Sequence, residues 1–221
     1  MTEHSFYMER AIQLAKRGTG FTNPNPLVGA VIVKDHRIIG GWHARYGDLH
    51  AERNALKNCT EDPAGATMYV TLEPCCHHGK QPPCTEALVE SGIRRVYIGS
   101  RDFNPLVFGK GVQYLEEHGI EVIPDFLREA CDKLNPIFFR YIGTKMPYTI
   151  LKYAMTADGK IACAGGASKW VTGEAARAHV QQTRKRVAAI CVGIGTVLAD
   201  DPLPTCRCEN PSQPVRVVLD N

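Results

Sequence analysis

The stretch Thr67–Gly99 reads TMYVTLEPCCHHGKQPPCTEALVESGIRRVYIG. Thr67-Met68-Tyr69-Val70-Thr71-Leu72 and Arg95-Val96-Tyr97-Ile98-Gly99 are short runs rich in β-branched and aromatic residues, as strands are. The segment between them, from about Cys84 to Ser91, reads as a helix. Working outward, Leu27-Val28-Gly29-Ala30-Val31-Ile32-Val33 is continuously apolar, as a strand buried on both faces should be. Lys34-Asp35-His36-Arg37 turns that run into Arg37-Ile38-Ile39-Gly40 as a hairpin. Further helices are predicted over residues 4–17 (with Phe6, Ala11, Ile12, Leu14 and Ala15 inward), near His50, and over 109–118 and 126–142, with a strand at 120–123. Strands alternating with helices predict an α/β domain whose single, mostly parallel sheet is covered on both faces.

A boundary falls near residue 146, before Met146-Pro147. Beyond it the pattern predicts a strand over Tyr148–Tyr153, a helix at about 173–186, a strand at 188–193 and a last strand over Val215–Leu219. The chain has 221 residues, 44% hydrophobic and 22% charged, so it can bury a core and is neither disordered, collagen-like nor a coiled coil. No apolar run reaches the ~18 residues that span a bilayer, and residues 1–18 lack a secretion signal, so a soluble, cytoplasmic protein without a membrane partner is expected. A net charge of +3 is too small to argue for nucleic acid, and Arg184-Lys185-Arg186 reads as a solvated helix face. Nine cysteines in such a chain do not form a disulfide framework, which leaves metal ligation open to some of them.

Spacing selects the ligands. His50-Ala51-Glu52 is followed by Pro74-Cys75 and, after an intervening loop, by Cys84. One imidazole and two thiolates suit Zn²⁺ and leave the fourth tetrahedral position for water, which is the arrangement of a catalytic site. Glu52 is then free to move protons as a general acid and base. Cys84 is preferred to Cys76 because adjacent side chains rarely converge on one small ion. The alternatives are a structural zinc closed by His77 or His78, or thiols without metal. A His-x-Glu with a later Pro-Cys is the pattern of zinc deaminases, although eight residues here separate the two cysteines.

His50-Ala51-Glu52, the run Thr71–Cys84 and Arg101-Asp102-Phe103-Asn104-Pro105 resemble the deaminase domain of the bifunctional riboflavin-biosynthesis deaminase/reductases. The resemblance implies a cytidine-deaminase-like three-layer αβα fold with a mixed sheet over residues 1–146. It also implies a pyrimidine ribonucleotide substrate, 2,5-diamino-6-ribosylamino-4(3H)-pyrimidinone 5′-phosphate, whose 2-amino group leaves as ammonia. Asn25, His43, Lys80, Asp102 and Asn104 would line its pocket. This chain departs from the family pattern at Arg53, Cys76 and Phe103, none of them a proposed ligand. A homo-oligomer is expected. The competing functional classes are a nucleic-acid base deaminase acting on tRNA adenosine, against which the charge and the 8% aromatic content count, and a zinc-stapled binding module, which has no use for Glu52.

Residues 147–221 resemble the amino-terminal part of the family's NADPH-dependent reductase domain, which has a dihydrofolate-reductase-like fold. The resemblance rests on Ala157–Ala162, Ser168–Thr172 and Gly193–Pro202. It places Ala154, Trp170, Thr196 and Asp200 on NADPH, and Ser168, Arg184 and Arg207 on the ribosyl-phosphate substrate. Arginines suit that second task because a guanidinium meets phosphate bidentately. A reductase would need more chain than this, so the 221 residues are expected to deaminate without reducing.

Overall fold

The computed structural model describes residues 2–79, 81–104 and 107–220. It divides into two compact units, Met1–Tyr148 and Thr149–Asn221. In the first, the strands are β1 (Gly29–Lys34), β2 (Arg37–Trp42), β3 (Thr67–Leu72), β4 (Arg95–Ser100) and β5 (Glu121–Ile123). They form one sheet in the order β2-β1-β3-β4-β5. The β2–β1 and β1–β3 pairs are antiparallel, and β3–β4 and β4–β5 are parallel. The sheet is thus mixed, as the resemblance implies and against the mostly parallel reading of the strand pattern: a list of strand runs carries no information on which strand the hairpin joins. Asp35 and His36, with φ of 48° and 63°, form the two-residue turn of that hairpin.

Side chains alternate across the sheet and build a core on each face. Ala30, Ile32, Met68, Val70, Val96 and Ile98 face α2 (Ala51–Lys57), α3 (Cys84–Glu90) and α4 (Lys110–Glu117). Val31, Tyr69 and Tyr97 face α1 (Glu3–Ala15) and Cys131 of α5 (Arg128–Asp132). The result is three layers, helix, sheet, helix. On α1, Ala11, Ile12, Leu14 and Ala15 are buried as expected, while Phe6 is 50% exposed and Tyr7 and Met8 face inward instead. The single helix expected over 126–142 is two, α5 and α6 (Pro136–Thr144), because Pro136 lacks an N–H and starts a new helix at its first position.

Asn135, at that break, donates from Nδ2 to the Leu27 carbonyl (2.8 Å) and accepts the Leu27 N–H at Oδ1 (2.7 Å). It clips the approach to β1, two residues beyond Asn25. In the second unit, β6 (Ala189–Gly193) and β7 (Val215–Leu219) pair in parallel, α7 (Glu174–Arg186) precedes β6, and α8 (Ile194–Asp200) follows it directly. Residues 148–153, expected as a strand, are irregular and mostly exposed, with Leu151 82% accessible. A β-rich composition gives no strand where no neighbouring strand takes up its hydrogen bonds. Replacement of Asn135 by Ala removes both bonds to Leu27 and is expected to destabilise the first unit by about 2 kcal/mol, read from the urea midpoint at constant m-value.

Candidate metal centre and pocket

Strand directions explain why the predicted residues meet. Because β2 and β3 are each antiparallel to β1, and β4 is parallel to β3, the carboxyl ends of β2, β3 and β4 lie on one edge of the sheet, where β1 begins. That edge receives Asn25 before β1, His43 after β2, Cys75 after β3 and Asp102 and Asn104 after β4. Crevices beyond strand carboxyl ends are where open α/β sheets bind ligands. Here a cavity of about 280 Å³ is lined by Asn25, His43, His50, Glu52, Cys75, Asp102 and Asn104, among others.

His50 caps α2 and Cys84 is the first residue of α3, so two helix amino ends deliver ligands to the same point. His50 Nδ1 lies 3.5 Å from Cys75 Sγ and 3.4 Å from Cys84 Sγ. A tetrahedral Zn²⁺ with Zn–S of ~2.3 Å and Zn–N of ~2.0 Å separates sulfur from nitrogen by about 3.5 Å, so the three donors fit that ion. His50, Cys75 and Cys84 form the one cluster of this kind among the described residues. Cys76 is not part of it, and His78 Nε2 faces Glu86 Oε1 at 3.4 Å, so neither closes the site. Hydrogen bonding from the Cys84 thiol holds the Cys75 thiol down at about 4, with further contributions from His50 and the Cys84 N–H. The Cys84 thiol is pushed well up by the same bond and by burial. Thiols placed this way would give up their protons to a bound divalent cation.

Glu52 is 3% exposed and lies in the first turn of α2. Burial pushes its carboxyl above the ordinary carboxylate range, with the Cys75 charge adding to the effect. His43, 2% exposed, stays neutral because burial lowers its pKa. Its Nδ1 lies 3.0 Å from the Leu49 carbonyl, which only accepts, so the proton is on Nδ1 and Nε2 accepts from Asn25 Nδ2 at 3.2 Å. Asp102 Oδ1 accepts the Asn104 N–H at 2.8 Å. Burial pushes its carboxyl up to about 6. Lys80 lies outside the described residues.

Three further residues lie at the site: the sequence reading notes Arg53 only as a departure from the family pattern and His77 only as a closing ligand of a structural zinc, and gives Glu73 no role. Arg53 donates to the carbonyls of Pro82 (3.2 Å) and Pro83 (2.7 Å), fastening the loop that carries Cys84 to α2. His77 lines the cavity with a buried, unpartnered Nδ1. Glu73 is buried among main-chain donors. The side-chain partners of Arg53 and Glu73 lie 29 or more residues away and are brought near only by folding. In the second unit, Arg184 and Arg207 both donate to the Leu203 carbonyl, at 3.0 and 2.9 Å. Thr196 and Asp200 are exposed one turn apart on α8, Trp170 is 71% exposed beneath the Arg177 guanidinium, and Ala154 and Ser168 are half-buried.

Fold and site define a metal-binding domain of the cytidine-deaminase class, followed by a second domain. Residues 1–100 match the cytidine and deoxycytidylate deaminase zinc-binding region and residues 147–221 match the RibD C-terminal domain. The riboflavin biosynthesis protein RibD of Actinobacillus pleuropneumoniae is 61% identical over 97% of this chain and 57% of its own length. That of Escherichia coli is 43% identical over 99% of this chain and 64% of its own. The solved deaminase/reductase of Thermotoga maritima superposes with a TM-score of 0.93 at 51% identity, covering 98% of this chain and 63% of that one. Over the residues it spans, the chain is similar to RibD proteins in both of its matched parts. It spans about three-fifths of the length of the curated relatives it matches. Cys84→Ala is expected to abolish zinc retention in metal analysis after dialysis, whereas Cys76→Ala retains the wild-type zinc content.

Proposed function

We propose that the chain catalyses the deamination step of riboflavin biosynthesis. In it, 2,5-diamino-6-ribosylamino-4(3H)-pyrimidinone 5′-phosphate exchanges its 2-amino group for a water-derived oxygen and releases ammonia, giving 5-amino-6-ribosylamino-pyrimidinedione 5′-phosphate. The observation that carries this reading is Glu52, buried in the same cavity as the His50, Cys75 and Cys84 donors. The solved relative named as a diaminohydroxyphosphoribosylaminopyrimidine deaminase and 5-amino-6-(5-phosphoribosylamino)uracil reductase supports the substrate class. Zinc held by the three donors would act as a Lewis acid that lowers the pKa of a water toward ~7.

Glu52 takes a proton from the attacking water and places it on the ring nitrogen beside the carbon under attack, then carries the remaining proton of the added hydroxyl to the amino group, which leaves as ammonia. Burial, which raises its pKa, helps it to hold a proton between the two transfers. Asn25, His43, Asp102 and Asn104 hold the pyrimidine ribonucleotide, and Lys80 offers a cation to its anionic part. Neutral His43 fixes the Asn25 amide, so the two act as one polar wall. The chain is proposed to work as a cytoplasmic homo-oligomer. Among the described residues no helix is long and apolar enough to cross a membrane.

Residues 147–221 are proposed as the amino-terminal part of a reductase domain, supported by the match to the RibD C-terminal domain. There Ala154, Trp170, Thr196 and Asp200 would hold NADPH, the hydride donor that turns the ribosyl group into ribityl. Exposure of Trp170, Thr196 and Asp200 fits a ligand that approaches from solvent. Ser168, Arg184 and Arg207 would meet the sugar phosphate. The two guanidiniums already converge on the residue 203–205 loop.

Glu52→Ala is expected to keep its zinc and lose ammonia release by about 10²–10⁴-fold. Wild-type ammonia release by that variant would sink the role given to Glu52. With Asp102 titrating at about 6, KM should rise as pH falls below that value, and Asp102→Asn should flatten the profile. A carboxyl whose pKa is raised by the fold stabilises it below the unfolded value of ~4 and loses that contribution as pH rises through about 6. Asp102→Asn should therefore unfold no earlier than wild type at pH 8.

A further inference from the structure

The proposed chemistry leaves Glu73 without a task, although it lies between β3 and Cys75 and is only 3% exposed. Its carboxylate accepts four main-chain N–H groups. Oε2 takes those of Asp102 (3.4 Å) and Gly109 (3.2 Å), and Oε1 those of Gly111 (3.1 Å) and Val112 (3.4 Å). Its own N–H donates to the Ser100 carbonyl at 2.9 Å. A carboxylate has about four lone-pair sites, so these donors use its whole accepting capacity and leave none for a ligand.

Three of the four donors belong to the start of α4. Gly109 occupies the cap position of that helix and has no side chain with which to satisfy the free N–H groups of the first turn. Glu73 supplies the missing acceptor from 36 residues away, with a negative charge where the helix dipole favours one. Gly111 permits the approach: a Cβ there would lie 2.3 Å from the Pro74 carbonyl oxygen and 3.2 Å from Glu73 Oε1. The fourth donor is the N–H of Asp102, whose side chain lines the cavity and in turn holds the Asn104 N–H.

We propose that Glu73 is a positioning residue: by capping α4 and holding the Asp102 main chain, it fixes the Asp102–Asn104 wall against the Cys75 end of β3 and so sets substrate affinity. The inference rests on the pocket role proposed above for Asp102 and Asn104. Glu73→Gln is the informative variant, because it keeps the size of the side chain but offers one accepting oxygen and turns an NH₂ toward main-chain donors.

The test uses the full chain and follows zinc content, ammonia-release kinetics and amide hydrogen exchange. Glu73→Gln is expected to retain zinc, to raise KM by about tenfold or more, and to lower kcat by less than about threefold, the pattern of lost uniform binding. Exchange over residues 102–104 and 107–112 should accelerate while β1 and α2 stay protected. Ile32→Val, a core change far from this wall, should lower thermal stability without moving KM. Glu73→Asp keeps the charge and should restore part of the affinity. A KM within twofold of wild type in Glu73→Gln, unchanged exchange over 102–112, or failure of both Glu73 variants to fold would overturn the proposal. A wild-type chain that releases no ammonia would instead defeat the functional reading, and the exchange measurement would still decide whether Glu73 holds the wall.

Discussion

The site depends on how closely α2 lies on β2. At Gly41 a Cβ would sit 2.2 Å from the Ala55 nitrogen and 2.6 Å from the Ala51 carbonyl oxygen, so the helix rests on strand backbone with no side chain between them. That contact fixes the height of α2 over the sheet, and its amino end, with His50 and Glu52, at the edge where β3 ends. Asn54 secures the intervening loop by donating to the Trp42 carbonyl at 2.8 Å. A larger residue at position 41 would lift the imidazole and the carboxylate together away from Cys75. The opposite face has a counterpart at Gly29, where a Cβ would lie 2.0 Å from the Ala11 carbonyl oxygen of α1.

Chemistry was more legible in the sequence than topology. His50, Glu52, Cys75 and Cys84 could be singled out because ligation and proton transfer demand particular side chains at particular spacings, and the fold brings them together. The hairpin was legible as well, because its two-residue turn is local. Which strands run parallel was not, since that is decided by pairing partners tens of residues apart. Phe6 was misplaced for a related reason: on α1 the register of the buried face is set by Tyr69 and Tyr97 across the sheet, against which Tyr7 and Met8 pack. The short helix α8 was not foreseen: it starts at Ile194 directly after β6 and carries Gly195 in its first turn, a residue that disfavours helix.

Polar groups at the site are arranged in linked pairs. Asn25 with His43, Asp102 with Asn104, and Glu73 with the first turn of α4 each satisfy one buried group by another. Such a lining is rigid, because no member can turn without stranding its partner in a poorly solvated place. Arg53 extends the same logic to the inserted loop before Cys84: its two bonds to Pro82 and Pro83 compensate for the long excursion between the cysteine ligands. Apart from Asp102 with Asn104, these partners lie 18 or more residues apart in the chain, which is why residue spacing alone did not expose them.

The three donors of the centre arrive on three different elements: His50 before α2, Cys75 after β3 and Cys84 at the start of α3. An ion bound there would staple the end of a strand to the beginnings of two helices. Because thiol ligands must give up their protons to bind a metal, loading would release protons and would weaken as the medium acidifies.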